Sequence, residues 1–137
     1  MSTDDPVRVL FICTENAARS QMAEGLLRAR GAGAYAVHSA GTDPGRVHPL
    51  AVRVMDEVGI DIRAQVASGV ARYRDEPVDY VVTLCRGTRD LVPSLRAREM
   101  VIHQPFDDPA ATNDPEADRL VAFRQVRDAL ADWIDRA

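Results

Sequence analysis

Residues 7–30 contain a buried-strand pattern, a polar loop and a helical pattern in immediate succession. Residues 7–12 are almost entirely apolar and rich in β-branched side chains, which predicts a strand covered on both faces. Residues 20–30 carry apolar side chains at helical spacing, and glycines follow. The polar loop "CTENAARS" (13–20) joins the two patterns. A strand followed by a loop and a helix is typical of parallel α/β proteins.

The same alternation continues along the chain. Further strands are predicted at 35–40, 78–85 and 100–103, and helices at 49–58 and 115–136. A short helix or turn is predicted at 88–95, and a loop at 104–114. Together these patterns predict a single domain, residues 1–137, with a small four-stranded parallel sheet and helices on both faces.

Charge and composition argue against several kinds of partner, location and metal site. The net charge of −4 argues against general nucleic-acid or acidic-membrane binding, and no apolar stretch approaches the ~20 residues of a membrane span. The N-terminus lacks the pattern of a secretory signal, so we expect a cytoplasmic protein. Its two cysteines and three histidines have no zinc-ligand spacing, and we expect no transition metal.

The loop after the first strand has the composition of an oxyanion site. Its position at the carboxyl end of a parallel strand and the N-terminus of a helix lets its N–H groups form an anion nest. Arg19 adds a planar fork that matches two oxygens of the anion, and the local field favours Cys13 as a thiolate nucleophile. The loop lacks the glycines and the lysine of a Walker A motif. The alternative is a buried, inert cysteine followed by a solvated arginine.

Several segments in the same order resemble one family. They are "CTENAARSQMAEGLLR" (13–28), "SAGT" (39–42), "VHPLAVRVMDEVGID" (47–61), "VVTLC" (81–85) and "FDDP" (106–109). They resemble low-molecular-weight protein tyrosine phosphatases and the related thioredoxin-coupled arsenate reductases, and "RSQMAE" and "VVTLC" favour the reductase branch. Ala110 and Ala111 stand where the phosphatase branch has aromatic residues that grip phosphotyrosine.

This resemblance implies an arsenate reductase that converts arsenate to arsenite in arsenic detoxification. The alternatives are a low-molecular-weight protein tyrosine phosphatase and a non-catalytic oxyanion-binding or thiol-sensing module. Cys13 would attack arsenate, and Asp108 would be the general acid, with Asp107 as its adjacent competitor. The predicted oxyanion-binding residues are Thr14, Glu15, Asn16, Ala17, Ala18, Arg19 and Ser20.

The resemblance also implies supporting roles around the loop. Asn16, Ser20 and Ser39 would hold the loop open, and Ser20 would donate to the Cys13 thiolate; the alternative is ordinary capping of turns and helix ends. In some reductases, the residues that correspond to Asn16, Glu24 and Ser39 surround a potassium ion. A solvated Glu24 is the alternative.

Reduction of arsenate needs two electrons from thiols, and the sequence leaves their source open. Cys85 is the internal candidate for the second thiol, although it also fits a buried strand end. Val92 stands where the thioredoxin-coupled family has a third, relay cysteine. We therefore favour an external thiol, such as mycothiol, bacillithiol or glutathione, recycled by a glutaredoxin-like protein. Resolution by Cys85, with a thioredoxin-like reductant, is the alternative.

Overall fold

The computed structural model describes residues 6–31, 33–85, 97–110 and 114–136. In chain order, its elements are β1 (Val7–Cys13), α1 (Arg19–Gly31), β2 (Tyr35–Gly41), α2 (Pro49–Asp56), a 3-10 helix (Val70–Tyr73), β3 (Val78–Thr83), β4 (Ala97–His103) and α3 (Glu116–Arg136). None of the helices in these ranges combines the length and apolar character needed to cross a lipid bilayer.

The four strands form one parallel sheet in the order β2-β1-β3-β4, which confirms the predicted fold class. Cys13 pairs with Gly41 at the end of β2, and Ile12 pairs with Thr83 at the end of β3. Thr83 in turn pairs with His103 at the end of β4. The carboxyl ends of all four strands therefore meet along one edge, where parallel sheets bind their ligands.

Alternate side chains of β1 enter two separate parts of the core. Val9 and Phe11 belong to a core cluster that also includes residues of all three α-helices. Leu10 and Ile12 point to the opposite face and belong to a cluster with Tyr73 of the 3-10 helix. Burial of each large apolar side chain contributes about 1.5–3 kcal/mol. Both faces of β1 are covered, as its continuous apolar run predicts.

Element boundaries differ from the sequence prediction where other forces set them. β4 begins at Ala97 rather than at residue 100, because as an edge strand it carries charged, exposed side chains that mask the strand pattern. α2 ends at Asp56 rather than at residue 58, and Gly59 follows with a φ of +78°. β3 ends at Thr83, two residues before the predicted end. The predicted short helix or turn at 88–95 lies outside the described residues.

Candidate active site

The loop of residues 14–18 connects β1 to α1 at the carboxyl edge of the sheet. Backbone N–H groups in the segment 43–48 donate to the carbonyl oxygens of Thr14, Glu15 and Ala17 at 2.8–2.9 Å. In a trans peptide, the N–H of the next residue points away from the carbonyl oxygen. Because the carbonyl oxygens of the loop face the segment 43–48, its N–H groups face away from that segment. Within the described residues, the N–H groups of 14–18 donate to no acceptor. The loop therefore has the form of an anion nest.

Cys13 ends β1 with a buried thiol that faces the first turn of α1. Its Sγ lies 2.9 Å from the Ser20 Oγ, and the Asn16 Nδ2 donates to the same hydroxyl oxygen at 2.7 Å. The structure thus brings together three residues that the sequence predicted to lie at one site.

Asn16 determines the path of the loop. Its φ of +53° lies in the left-handed region, which asparagine tolerates better than most side chains. Its Oδ1 accepts from the Ser68 N–H at 2.8 Å, and its carbonyl oxygen accepts from the Gln21 Nε2 at 2.9 Å. Because Asn16 and Gln21 are fully buried, these bonds fix the loop from behind. Sequence reasoning missed Gln21 and Ser68, which belong to the loop only through their tertiary contacts.

Gly41 allows β2 to approach the loop closely. A Cβ atom at this position would lie 2.6 Å from the Thr14 carbonyl oxygen and 2.8 Å from the Asn16 nitrogen. Real Cβ atoms do not approach backbone atoms this closely, so only glycine fits. The sequence signal was available in "SAGT", where Gly41 follows a predicted strand.

Arg19 connects the loop to the segment that carries the predicted acid. Its side chain is 12% exposed; one terminal nitrogen donates to the Phe106 carbonyl oxygen at 2.9 Å, and the other lies 3.7 Å from the Asp108 carboxylate. Asp108 also accepts from the Ala110 N–H at 3.0 Å, and its carboxylate is 41% exposed. Asp107 is exposed and forms no ion pair within the described residues. The geometry therefore brings Asp108, rather than Asp107, to Arg19.

Cys85 follows β3 and is also a buried thiol. Its Sγ lies 3.3 Å from the Thr14 Oγ1, so the second cysteine contacts the first residue of the loop. Val92, which stands at the relay position, lies outside the described residues.

Ser39 and Glu24 form a separate polar cluster beside the loop. The Ser39 hydroxyl donates to one oxygen of Glu24 at 2.6 Å, and the Arg28 guanidinium donates to the other at 2.7 Å and to the Val37 carbonyl at 3.1 Å. Glu24 is buried, so Arg28 neutralises a charge that would otherwise be costly. Within the described residues, Asn16 forms no hydrogen bond with either Ser39 or Glu24.

Each carboxylate oxygen of Glu24 accepts one of these hydrogen bonds, and Arg28 supplies a positive charge to the cluster. In the described part of the chain, no group of three or more His, Cys, Asp or Glu side chains is placed to hold a metal ion.

His48 supports the loop from outside, which sequence reasoning did not foresee. Its N–H donates to the Ala17 carbonyl oxygen at 2.8 Å, and its Nδ1 accepts from the Leu50 N–H at 3.0 Å, which caps α2. The ring packs on Phe123 of α3 with 4.8 Å between centroids. Burial and the nearby Arg119 guanidinium lower the pKa of His48. A histidine just before a proline at the start of a helix was the available signal.

Comparison with known proteins finds many proteins whose sequences are similar to this chain. The family model described as "Low molecular weight phosphotyrosine protein phosphatase" matches residues 8–135. A "Glutaredoxin arsenate reductase" of Synechocystis sp. is 38% identical over 93% of this chain and 93% of its own length. An "Arsenate reductase" of Halalkalibacterium halodurans is 37% identical over 89% of this chain and 88% of its own length.

Solved structures give the same grouping. "An arsenate reductase in the phosphate binding state" has a TM-score of 0.78 and 35% identity, with 95% of each chain covered. The low molecular weight protein tyrosine phosphatase from T. tengcongensis has a TM-score of 0.80 but 26% identity, with 95% of this chain and 96% of that chain covered. The fold is common to both, while sequence identity is higher to the reductase.

Proposed function

This chain belongs to the low-molecular-weight phosphotyrosine protein phosphatase family, and we propose that within it the chain is an arsenate reductase, which converts arsenate to arsenite. The observation that carries the proposal is the Cys13 thiol beside an anion nest, with Ser20 placed to donate to it. The identity of 34–38% to arsenate reductases, against 25–27% to the phosphatases compared, supports arsenate as the substrate.

The first step is a substitution at arsenic. The Cys13 thiolate attacks arsenate, a sulfur–arsenic bond forms, and one hydroxyl group of arsenate leaves as water after it receives a proton from Asp108. The loop N–H groups and Arg19 stabilise the charge that develops on the remaining oxygens. The 3.7 Å contact between Arg19 and Asp108 supports the position of the proposed acid beside the anion-binding residue.

The second step transfers two electrons. A thiol attacks the sulfur of the Cys13 adduct and forms a disulfide, while arsenic keeps the electron pair of the broken sulfur–arsenic bond and leaves as arsenite. A second thiol then attacks this disulfide and releases Cys13 as a thiolate. In total, arsenate and two thiols give arsenite, one disulfide and water.

We propose that the resolving thiol is an external low-molecular-weight thiol, with a glutaredoxin-like protein as the recycling partner. The absence of a relay cysteine at Val92 supports this route, and one relative carries the name glutaredoxin arsenate reductase. The alternative is direct resolution by Cys85 with a thioredoxin-like partner, which the 3.3 Å contact between Cys85 and Thr14 favours. Glutathione, bacillithiol and mycothiol each supply the single thiol that this step needs.

We further propose that potassium is not needed, because Arg28 already supplies a fixed positive charge to Glu24. We also propose a cytoplasmic location, because Cys13 must be reduced at the start of each cycle and a reducing compartment maintains its thiol.

One assay tests the proposal against both alternatives. Arsenite formation with glutathione and glutaredoxin is measured for the wild type and Cys13→Ser, beside hydrolysis of para-nitrophenyl phosphate. We expect arsenite from the wild type and none from Cys13→Ser. Efficient phosphate-ester hydrolysis without arsenite under any thiol system would identify a phosphatase, and oxyanion binding with neither activity would identify a binding module.

A further inference from the structure

The hydrogen bonds of His48 fix the position of its ring proton. The Nδ1 accepts from the Leu50 backbone N–H at 3.0 Å, and a backbone N–H can only donate. A neutral imidazole that accepts through Nδ1 carries its hydrogen on Nε2. The Nε2 of His48 is therefore a donor.

Arg119 of α3 points donors at this same atom. One terminal nitrogen of its guanidinium lies 3.3 Å from the His48 Nε2, so two donors face each other with no acceptor between them. The Arg119 Nε is buried and also has no hydrogen-bond partner. Arg119 forms no ion pair with a carboxylate in the described part of the chain. Arg119 and His48 thus present a guanidinium terminal nitrogen and a ring N–H, beside the buried Nε, to an acceptor that these residues do not supply.

The position of this pair relates it to the active site. His48 is bonded through its own N–H to the Ala17 carbonyl oxygen, which lies on the opposite side of the loop from the N–H groups of the anion nest. The Asp108 and Glu15 carboxylates partly offset the lowering of the His48 pKa by burial and by Arg119. His48 therefore holds the loop from outside the nest, and its ring faces Arg119 of α3.

We propose that Arg119 and His48 form a subsite for a carboxylate of the thiol that resolves the Cys13–arsenic adduct. This inference rests on the proposed function, in which a second molecule must reach the Cys13 sulfur after arsenate has filled the nest. A carboxylate has two oxygens in one plane, which suits the planar guanidinium fork and the neighbouring imidazole N–H. A second tetrahedral oxyanion could accept the same hydrogen bonds. The test therefore distinguishes a thiol carboxylate from an oxyanion.

The test compares thiols that differ only in their carboxylates. The KM for glutathione is measured with the wild type and Arg119→Gln, and again with glutathione diethyl ester, in which both carboxylates are masked. We expect Arg119→Gln to raise the KM for glutathione about tenfold, with kcat and the KM for arsenate unchanged. The ester should bind both enzymes equally weakly, and Arg119→Lys should recover part of the affinity for glutathione.

Arg124→Gln is the matched control, because Arg124 lies on the same helix but its guanidinium is bonded to Glu57. It removes the same charge and should leave the KM for glutathione unchanged. An equal rise of KM for glutathione and its ester in Arg119→Gln would overturn the proposal, because the carboxylate would then not be recognised. A raised KM for arsenate would overturn it in favour of a second oxyanion site.

A binding measurement separates this inference from the proposed function. S-methylglutathione cannot react but keeps both carboxylates, and its affinity for wild type and Arg119→Gln is measured by calorimetry with arsenate present. Weaker binding to the variant supports the subsite even if no arsenite is formed, in which case only the proposed function fails. Equal binding in an active enzyme overturns the subsite alone.

Discussion

The hydroxyl of Ser20 lies 2.9 Å from the Cys13 sulfur, and its direction is set by a third residue. The Asn16 Nδ2 can only donate, and at 2.7 Å it occupies the acceptor side of the Ser20 oxygen. The hydroxyl hydrogen is then directed to the sulfur. Ser20 is therefore placed to stabilise the Cys13 thiolate by a charge-assisted hydrogen bond.

Substitution of Ser20 by alanine should slow alkylation of Cys13. A hydrogen bond to a charged group contributes about 1.5–3 kcal/mol, so we expect Ser20→Ala to react with iodoacetamide at pH 7 at least about tenfold more slowly. The parent protein and the Ser20→Ala variant both carry Cys85→Ser, so that only Cys13 is alkylated. Ser39→Ala is the control, because the Ser39 hydroxyl donates to Glu24 and not to Cys13. Equal rates in Ser20→Ala and the parent would contradict the assignment.

Asp108→Asn should lower kcat for arsenate reduction by about 10²–10⁴-fold, because the leaving oxygen would have no proton donor. Binding of inorganic phosphate, which needs no proton transfer, should change little. Asp107→Asn is the matched control, because it alters an adjacent carboxylate that forms no ion pair within the described residues. A larger loss in Asp107→Asn than in Asp108→Asn would reverse the two roles.

Cys85→Ser should keep full arsenite production with glutathione if an external thiol resolves the adduct. Serine preserves the size of the buried side chain and its contact with the Thr14 hydroxyl, so the loop should remain intact. The readout is arsenite formed in a single turnover, with glutathione and then with thioredoxin as the only reductant. Loss of arsenite with glutathione would make Cys85 the resolving thiol.

The main elements of the fold follow from the sequence because their signals are local. The apolar run of β1 and the helical spacing of α1 predict both elements to within one residue of their observed bounds. The first half of β4 was missed, since Arg98 and Glu99 are exposed on an edge strand and give no hydrophobic pattern. Edge position is a property of the assembled sheet and cannot be derived from a local pattern.

The reactive residues of the candidate site could be predicted from the sequence, but the residues that hold its loop in place could not. Cys13, Arg19 and Ser20 lie within eight residues of one another in the sequence and meet at one loop in the structure. Ser68 lies far away along the chain and reaches the loop through one hydrogen bond that carries no sequence motif. His48 precedes a proline, which signals a helix start but not the bond of His48 to the loop. Support of this kind depends on tertiary packing, which the spacing of residues does not encode.

Arg28→Gln should make the enzyme dependent on a monovalent cation. The substitution leaves Glu24 buried without its 2.7 Å partner, and potassium is then the available counter-charge. The wild type should reduce arsenate at the same rate in potassium and tetramethylammonium chloride, whereas Arg28→Gln should be slower and partly restored by potassium. Arg63→Gln, at an exposed ion pair with Asp61, should respond to neither salt. A wild type that needs potassium would contradict this prediction.

Glu57 joins α2 to α3 and should make stability depend on pH. Arg124 and Arg127 of α3 both donate to its carboxylate, and these bonds lower the pKa of Glu57 from its ordinary 4.5 to about 2. Because the folded pKa is the lower one, the stabilisation is present above pH 4.5 and is lost as the pH falls to about 2. Glu57→Gln should therefore lower the Tm at pH 7 and leave it unchanged near pH 2.

Thermal unfolding followed by circular dichroism at pH 7, 4.5, 3 and 2 measures this difference. Glu76→Gln is the control, because Glu76 forms a single 3.6 Å ion pair with Arg8 and its side chain is mostly exposed. Such a pair contributes little, so its Tm should match the wild type at every pH. If Glu57 acts through its charge, the Tm difference between Glu57→Gln and the wild type should vanish as the carboxylate is protonated. A constant Tm difference across this range would mean that Glu57 acts through packing.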